Sequence, residues 1–335
     1  MAKSGWKGNG TSMFPWRNSC LLVAVAALSL PAQQPATFKV NVSLVHVIAT
    51  VKNKSGQLVG ALTKEDFEIY DNGARQEISV FERQTDQPLS IALLIDVSGS
   101  TAKDLKFETD SAARFLKALL AEGKPDDRVS IFKFDDTVTR VTPFTHDFTL
   151  LDARLKKISG SAGTSLYDAI YLAAGELESR QGRKVMVIIS DGGNTTSSYD
   201  THQALEAAQL ADTVIYPLVV MPITSDAGRN IGGENALTFM AERTGGRTFL
   251  PSLGKQLDKA FDDIISELRT EYYMGFYPHD VPLTKERFHS LKVQVKKPEL
   301  QVSARNGYYG DTEDGSGKPG DSPVSGLPGQ LRKKR

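Results

Sequence analysis

The sequence contains a single cysteine, Cys20, and five histidines among its 335 residues. Without a cysteine pair there is no disulfide framework, so stability must come from burial of a core. The histidines show no metal-ligand spacing, which argues against a histidine-rich metal site. Charge of neither sign is in excess, since Lys plus Arg and Asp plus Glu are both 40. A nucleic-acid binder would show a basic excess, so we expect no nucleic-acid partner.

A long hydrophobic run is also missing. The most apolar stretch is Leu21–Leu30, which follows basic residues such as Lys3 and Arg17. About ten residues are too few to span a bilayer comfortably. The pattern predicts a signal peptide over residues 1–32, cleaved after Ala32, and hence export to the periplasm or the medium with no stable membrane span after processing. An uncleaved anchor is the alternative.

Two motifs of catalytic loops are absent as well. The sequence has no Gly-x-Ser-x-Gly, the nucleophile elbow of many hydrolases. Its paired glycines, Gly232-Gly233 and Gly245-Gly246, are not followed by the Lys-Ser/Thr of a phosphate-binding loop. We therefore predict that the protein is not an enzyme.

The most informative stretch present is Ile91–Thr101, Ile-Ala-Leu-Leu-Ile-Asp-Val-Ser-Gly-Ser-Thr. Its aliphatic run predicts a strand buried on both faces. The strand ends in Asp96, Ser98 and Ser100, which we expect in a loop at the sheet's edge, outside the core. One carboxylate and two hydroxyls are hard oxygen donors, suited to Mg²⁺, Mn²⁺ or Ca²⁺. An N-cap is the alternative role for Asp96 and Ser98.

Alternating strands and helices follow this stretch as far as residue 270. The helix predicted over Leu105–Leu120 has an apolar face that includes Phe107, Ala112 and Phe115. Further buried strands are predicted at Lys184–Ser190 and Val214–Val220. This alternation predicts an α/β fold, a doubly wound and mostly parallel sheet with helices on both faces.

The segments on either side are rich in strand patterns instead. Residues 38–85 and 271–310 are each too short to bury a core alone, so we expect them to pair into one small β-rich module. Within the first, Phe67–Tyr70 and Ile78–Phe81 are predicted to form a hairpin. Residues 311–335 are rich in Gly, Pro, Ser and Asp and are predicted to be a disordered tail.

Residues 88–270 resemble a von Willebrand factor A domain. The resemblance is carried by Asp96-Val97-Ser98-Gly99-Ser100, the Asp-x-Ser-x-Ser of a metal-ion-dependent adhesion site. Thr164, after Gly163, and Asp191, after a buried strand, match the second and third loops of that site. Taken alone, Thr164 is a helix-cap candidate and Asp191-Gly192 a turn. The chain as a whole looks like a bacterial exported subfamily first noted in acidobacteria.

The resemblance implies a divalent cation held by Asp96, Ser98, Ser100, Thr164 and Asp191. It implies that the serines bind the ion directly and that Asp96 acts mostly through water. Mg²⁺ is the expected ion, with Mn²⁺ or Ca²⁺ as alternatives. An open coordination position would accept a Glu or Asp carboxylate of a protein partner. The oligomeric state is not predicted.

Three functions follow from these observations. The first is an exported, metal-dependent protein-binding module, and the second is a structural or assembly component of the cell envelope. The third is a metal-dependent hydrolase. An aspartyl-phosphate phosphatase carries Asp-x-Asp-x-Thr, whereas here Ser98 stands where the second acid is needed. We expect the first function.

Overall fold

The computed structural model describes residues 44–83, 87–99, 101, 104–220, 230–252, 254–281 and 287–310. The predicted signal peptide, the predicted tail and Ser100 lie outside the described residues. The strands are β1 (Val45–Asn53), β2 (Phe67–Asp71), β3 (Ala74–Gln76), β4 (Ile78–Arg83), β5 (Leu89–Asp96), β6 (Arg128–Phe134), β7 (Val138–Arg140), β8 (Arg183–Ser190), β9 (Thr213–Val219), β10 (Tyr272–Phe276), β11 (Phe288–Val295), β12 (Leu300–Ala304) and β13 (Gly307–Tyr309). The helices are α1 (Leu105–Ala121), α2 (Phe148–Leu155), α3 (Leu166–Glu178), α4 (Thr201–Leu210), α5 (Ile231–Thr244) and α6 (Lys255–Thr270).

A five-stranded sheet forms the centre of the α/β layer, in the order β7-β6-β5-β8-β9. The β5, β6, β8 and β9 strands run parallel, and β7 is antiparallel to β6. All eight residues of β5 are buried. The predicted doubly wound α/β fold is therefore confirmed, and the aliphatic run is its central strand.

Alternate residues of β5 supply two separate cores. Ile91, Leu93 and Ile95 pack in one core with α1, α2 and α6. Ala92 and Leu94 pack in the other with α3, α4 and α5. Fully burying a Leu or Ile side chain contributes about 1.5–3 kcal/mol, so this strand ties both faces of the layer together.

The first turn of α1 differs from the sequence prediction. Phe107, assigned to the apolar face, is 58% exposed, whereas Glu108 is 1% exposed. The residues four and seven positions on from Glu108, Ala112 and Phe115, are buried as predicted. Glu108 therefore begins the inward-facing stripe of the helix.

The β-rich segments form two four-stranded antiparallel sheets, with orders β12-β1-β10-β4 and β13-β11-β2-β3. They share one core that includes Val47, Ile69, Tyr272 and Leu291. Each sheet combines strands from both ends of the chain, which confirms a small module built from the flanking segments. The domain limits themselves stay a prediction.

The hairpin predicted between Phe67–Tyr70 and Ile78–Phe81 is wrong in its second strand. β2 turns back into β3, whereas β4 pairs with β10 in the other sheet. The switch occurs at Gln76 and Glu77, where the Gln76 amide exchanges two hydrogen bonds with the backbone of His279, each 3.0 Å long.

None of the helices in the described residues has both the length and the apolar character that a membrane-spanning helix needs.

Candidate metal centre

The first loop of the candidate site begins at the carboxyl end of β5. Asp96 is 0% exposed and Ser98 is 2% exposed, so the expectation of a loop outside the core is wrong for these two residues. The Ser98 backbone N–H donates to Asp96 Oδ1 at 2.9 Å. The Thr101 hydroxyl closes the loop by donating to the carbonyls of Asp96 and Ser98 at 3.0 and 3.1 Å.

A hydrogen bond joins this loop to the neighbouring strand. The hydroxyl of Ser190, the last residue of β8, donates to Asp96 Oδ2 at 2.6 Å. Asp191 follows directly, and its Oδ1 accepts from the Gly193 N–H at 2.8 Å. The parallel register of β5 and β8 thus brings Asp96 and Asp191 to the same edge of the sheet.

Thr164 approaches that edge from the loop before α3. Its carbonyl accepts from the backbone N–H groups of Thr195 and Thr196 at 2.8 and 3.1 Å. A Cβ placed on Gly193 would lie 3.0 Å from Asp191 Oδ1 and 3.7 Å from Thr164 Oγ1. The carboxylate and the hydroxyl therefore face one point, which any side chain at position 193 would fill.

Two further contacts hold the loops in place. A Cβ on Gly160 would lie 1.7 Å from the Val97 carbonyl oxygen, so the loop before α3 packs directly on the loop after β5. The Asp168 carboxylate accepts from the N–H groups of Ser198 and Tyr199 at 2.7 and 2.9 Å, which fixes the loop after β8 against α3. We call these three loops, residues 96–99, 159–165 and 191–200, the three-loop edge.

Residues 91–194, which carry this edge, match the profile of the von Willebrand factor type A domain. The strand order, the helices on both faces and the position of the loops agree with that match. The α/β layer has the von Willebrand factor type A fold. No curated protein matches the chain.

Several solved structures are similar to this chain. They include the vWF domain of the type V pili tip protein Mfa5 from Porphyromonas gingivalis, at 16% identity and a TM-score of 0.45, with 54% of this chain and 95% of that chain covered. Another is the conserved hypothetical protein BatB from Bacteroides thetaiotaomicron, at 18% identity and a TM-score of 0.44, with 54% and 98% covered. The pilus adhesin SpaC from Lactobacillus rhamnosus GG has 10% identity and a TM-score of 0.46, with 73% of this chain and 47% of that chain covered.

The three-loop edge is strongly acidic and partly desolvated. Burial raises the pKa of Asp96 to about 6, although hydrogen bonds from Ser190 and Ser98 oppose the shift. The charge of Asp191 adds to the increase. A carboxylate that titrates this high is poorly compensated by its surroundings.

Glu108 is the residue that the sequence reasoning missed. Burial raises its pKa to about 8, and the charges of Asp96, Asp104 and Asp191 raise it further. Within the described part of the chain, neither of its carboxylate oxygens has a hydrogen-bond partner. Its spacing from Ala112 and Phe115 was the available signal, since it places an acid on the buried stripe next to the motif.

These donors fit a hard divalent cation. Within the described part of the chain, the charged groups that raise the pKa values of Asp96 and Glu108 are carboxylates, and a cation would compensate them. No group of three His, Cys, Asp or Glu side chains in the described ranges is arranged to hold a metal ion by itself. Asp96 and Asp191 would therefore need the hydroxyls of Ser98 and Thr164, both buried at this edge. Ligation by these residues stays a prediction.

Proposed function

We propose that this protein is an exported interaction module that binds a protein partner through a divalent cation at the three-loop edge. The observation that carries the proposal is the convergence of oxygen donors from three separate loops. Asp96, Ser98, Thr164 and Asp191 belong to loops that contact one another directly.

The roles of the residues follow from their chemistry. Two carboxylates against one divalent cation leave the site near neutral, and hydroxyl ligands add no further charge. A bound Mg²⁺ would then supply an electrophilic position for a carboxylate oxygen of a partner, because Mg²⁺ readily keeps exchangeable water ligands. Asp96 already accepts hydrogen bonds at both oxygens, which suits a role in positioning water rather than direct ligation.

This arrangement favours recognition over turnover. Among the described residues, the groups that shift the pKa of Asp96 are the hydroxyl groups of Ser190 and Ser98, the Ser98 backbone N–H and the carboxylate of Asp191. A phosphatase of the aspartyl-phosphate kind would need a second acid at the position of Ser98 to protonate the leaving group.

Capture from a native cell-envelope extract tests the proposal. The chain is immobilised with Mg²⁺, washed and eluted with a chelator, beside columns that carry Asp191→Ala and Ser130→Ala. Ser130 is a matched control because it is buried in the same sheet and its hydroxyl donates to the Thr142 carbonyl, away from the loops.

The expected result is a partner that elutes with chelator from the parent and Ser130→Ala columns and is missing from the Asp191→Ala column. Proteins retained equally in chelator and on all three columns would instead indicate an envelope component that assembles through other surfaces.

Export is tested by the intact mass of the protein recovered from the cell. The mass should show an N-terminus near Gln33, and residues 1–32 retained on a cytoplasmic protein would refute export.

A further inference from the structure

The buried carboxylate of Glu108 has no role in the site built from the sequence motif. Its oxygens lack hydrogen-bond partners among the described residues, and the side chain is 1% exposed. Burying a carboxylate without a partner is costly, so natural structures normally supply a donor, a counter-charge or a metal ion. Its isolation needs an explanation.

The position of Glu108 on α1 places it at the three-loop edge. Helix α1 follows β5, so its N-terminal turn lies at the carboxyl end of that strand. Glu108 is one turn before Ala112 on the stripe that packs against β5. The carboxylates whose charges act on Glu108 are those of Asp96, Asp104 and Asp191. Asp96 and Asp191 are candidate ligands.

We infer that Glu108 belongs to the cation site as a third carboxylate, contributed by α1, that accepts hydrogen bonds from the ion's water ligands. This inference rests on the proposed function. Direct ligation together with Asp96 and Asp191 is not supported, because no three acidic side chains in the described residues are arranged around one point. Metal-bound water is a strong donor and would supply the partner that the buried oxygens lack.

The alternative is that Glu108 is a protonated core residue with no part in metal binding. The two readings differ in what a neutral side chain at position 108 does to metal affinity. Loss of an outer-sphere partner weakens a metal site by about 10–100-fold, whereas loss of a bystander leaves the affinity unchanged.

Calorimetric titration of Mn²⁺ into the full chain, stripped of metal with a chelator, distinguishes an outer-sphere role for Glu108 from that of a protonated core residue. Glu108→Gln keeps the shape and removes the charge, and Glu108→Ala serves as a second variant that leaves no amide in the site. Asp110→Asn is the matched control, because it removes the same charge from an exposed position on the same helix. Asp191→Asn is the reference for loss of a candidate ligand.

We expect both Glu108 variants to bind Mn²⁺ about tenfold or more weakly than the parent, with Asp110→Asn unchanged. Parent-like affinity in both Glu108 variants, with affinity lost in Asp191→Asn, would overturn this inference alone. A parent that takes up no Mn²⁺ would overturn the proposed function and this inference with it. Far-ultraviolet circular dichroism of each variant reports whether it is folded.

Discussion

Replacing Glu108 by Gln should stabilise the metal-free protein at neutral and alkaline pH. The parent carboxyl has a folded pKa of about 8 against 4.5 as an ordinary value, so the folded state holds its proton where the unfolded chain has released it. A raised folded pKa contributes stability that is complete below about pH 4.5 and is lost as the pH rises to about 8. The parent therefore loses stability over this window because of Glu108.

The size of the effect follows from the relation of about 1.36 kcal/mol per pKa unit. Glu108 should lower the free energy of unfolding of the parent by roughly 3 kcal/mol between pH 4.5 and pH 7, and by roughly 5 kcal/mol by pH 9. The Gln variant lacks the ionisable group and should not show this loss. Asp96, whose pKa is also raised, titrates in both proteins, so the difference between them reports Glu108 together with its coupling to Asp96.

Urea unfolding in chelator at a series of pH values measures this difference. The free energy of unfolding of Glu108→Gln minus that of the parent should rise with pH, while the same difference for Asp110→Asn should stay flat. A difference for Glu108→Gln that does not change between pH 4.5 and pH 9 would refute the account of Glu108 as a buried, uncompensated acid.

Two further substitutions test other parts of the structure. Gly193→Val places a Cβ 3.0 Å from Asp191 Oδ1, so the affinity for Mn²⁺ should fall about tenfold or more. In the control Gly232→Ala the new Cβ lies 3.7 Å from Asn230 Oδ1, and the affinity should not change. Equal affinity in both variants would contradict the site. Arg183→Met removes the cation that lies 2.9 Å from the buried Glu271 carboxylate, and urea unfolding should show a loss of about 3–5 kcal/mol at pH 8. The loss should shrink at pH 5, because burial raises the pKa of Glu271 and an acidic solution favours its neutral form. A loss that is the same at both pH values would show that the ion pair is not its source.

The sequence predicted the α/β layer well because its strands are unusually clear. Aliphatic runs such as Ile91–Ile95 leave no polar face, and their short length between Pro88 and Gly99 favours a strand buried on both sides. The candidate ligands come from the resemblance to the adhesion-site motif, and their ligation of a metal stays a prediction, but their position at one edge follows from the strands. Each ends a buried strand or precedes a helix, and the carboxyl ends of parallel strands share one edge of a sheet.

What the sequence could not predict depends on contacts between distant segments. The pairing of β4 with β10 rather than β2 joins segments that are far apart in the chain, and so do the hydrogen bonds between Gln76 and His279 beside it. The burial of Glu108 in place of Phe107 is a rotation of the α1 face that counting apolar residues misses, because an acid is not expected on the buried face of a helix. The spacing of apolar residues along the chain indicates neither the pairing of β4 with β10 nor the burial of Glu108.

Thermal unfolding with and without metal tests the central proposal most directly. The parent, Ser98→Ala, Asp191→Ala and the control Ser130→Ala are melted in Mg²⁺ or Mn²⁺ and in chelator. At a metal concentration 100-fold above the dissociation constant, the parent and Ser130→Ala should gain about 2.7 kcal/mol, seen as a higher melting temperature. The gain should shrink in Ser98→Ala and more so in Asp191→Ala, which loses a charged candidate ligand rather than a neutral one. An identical response of all four proteins would contradict a cation held at the three-loop edge.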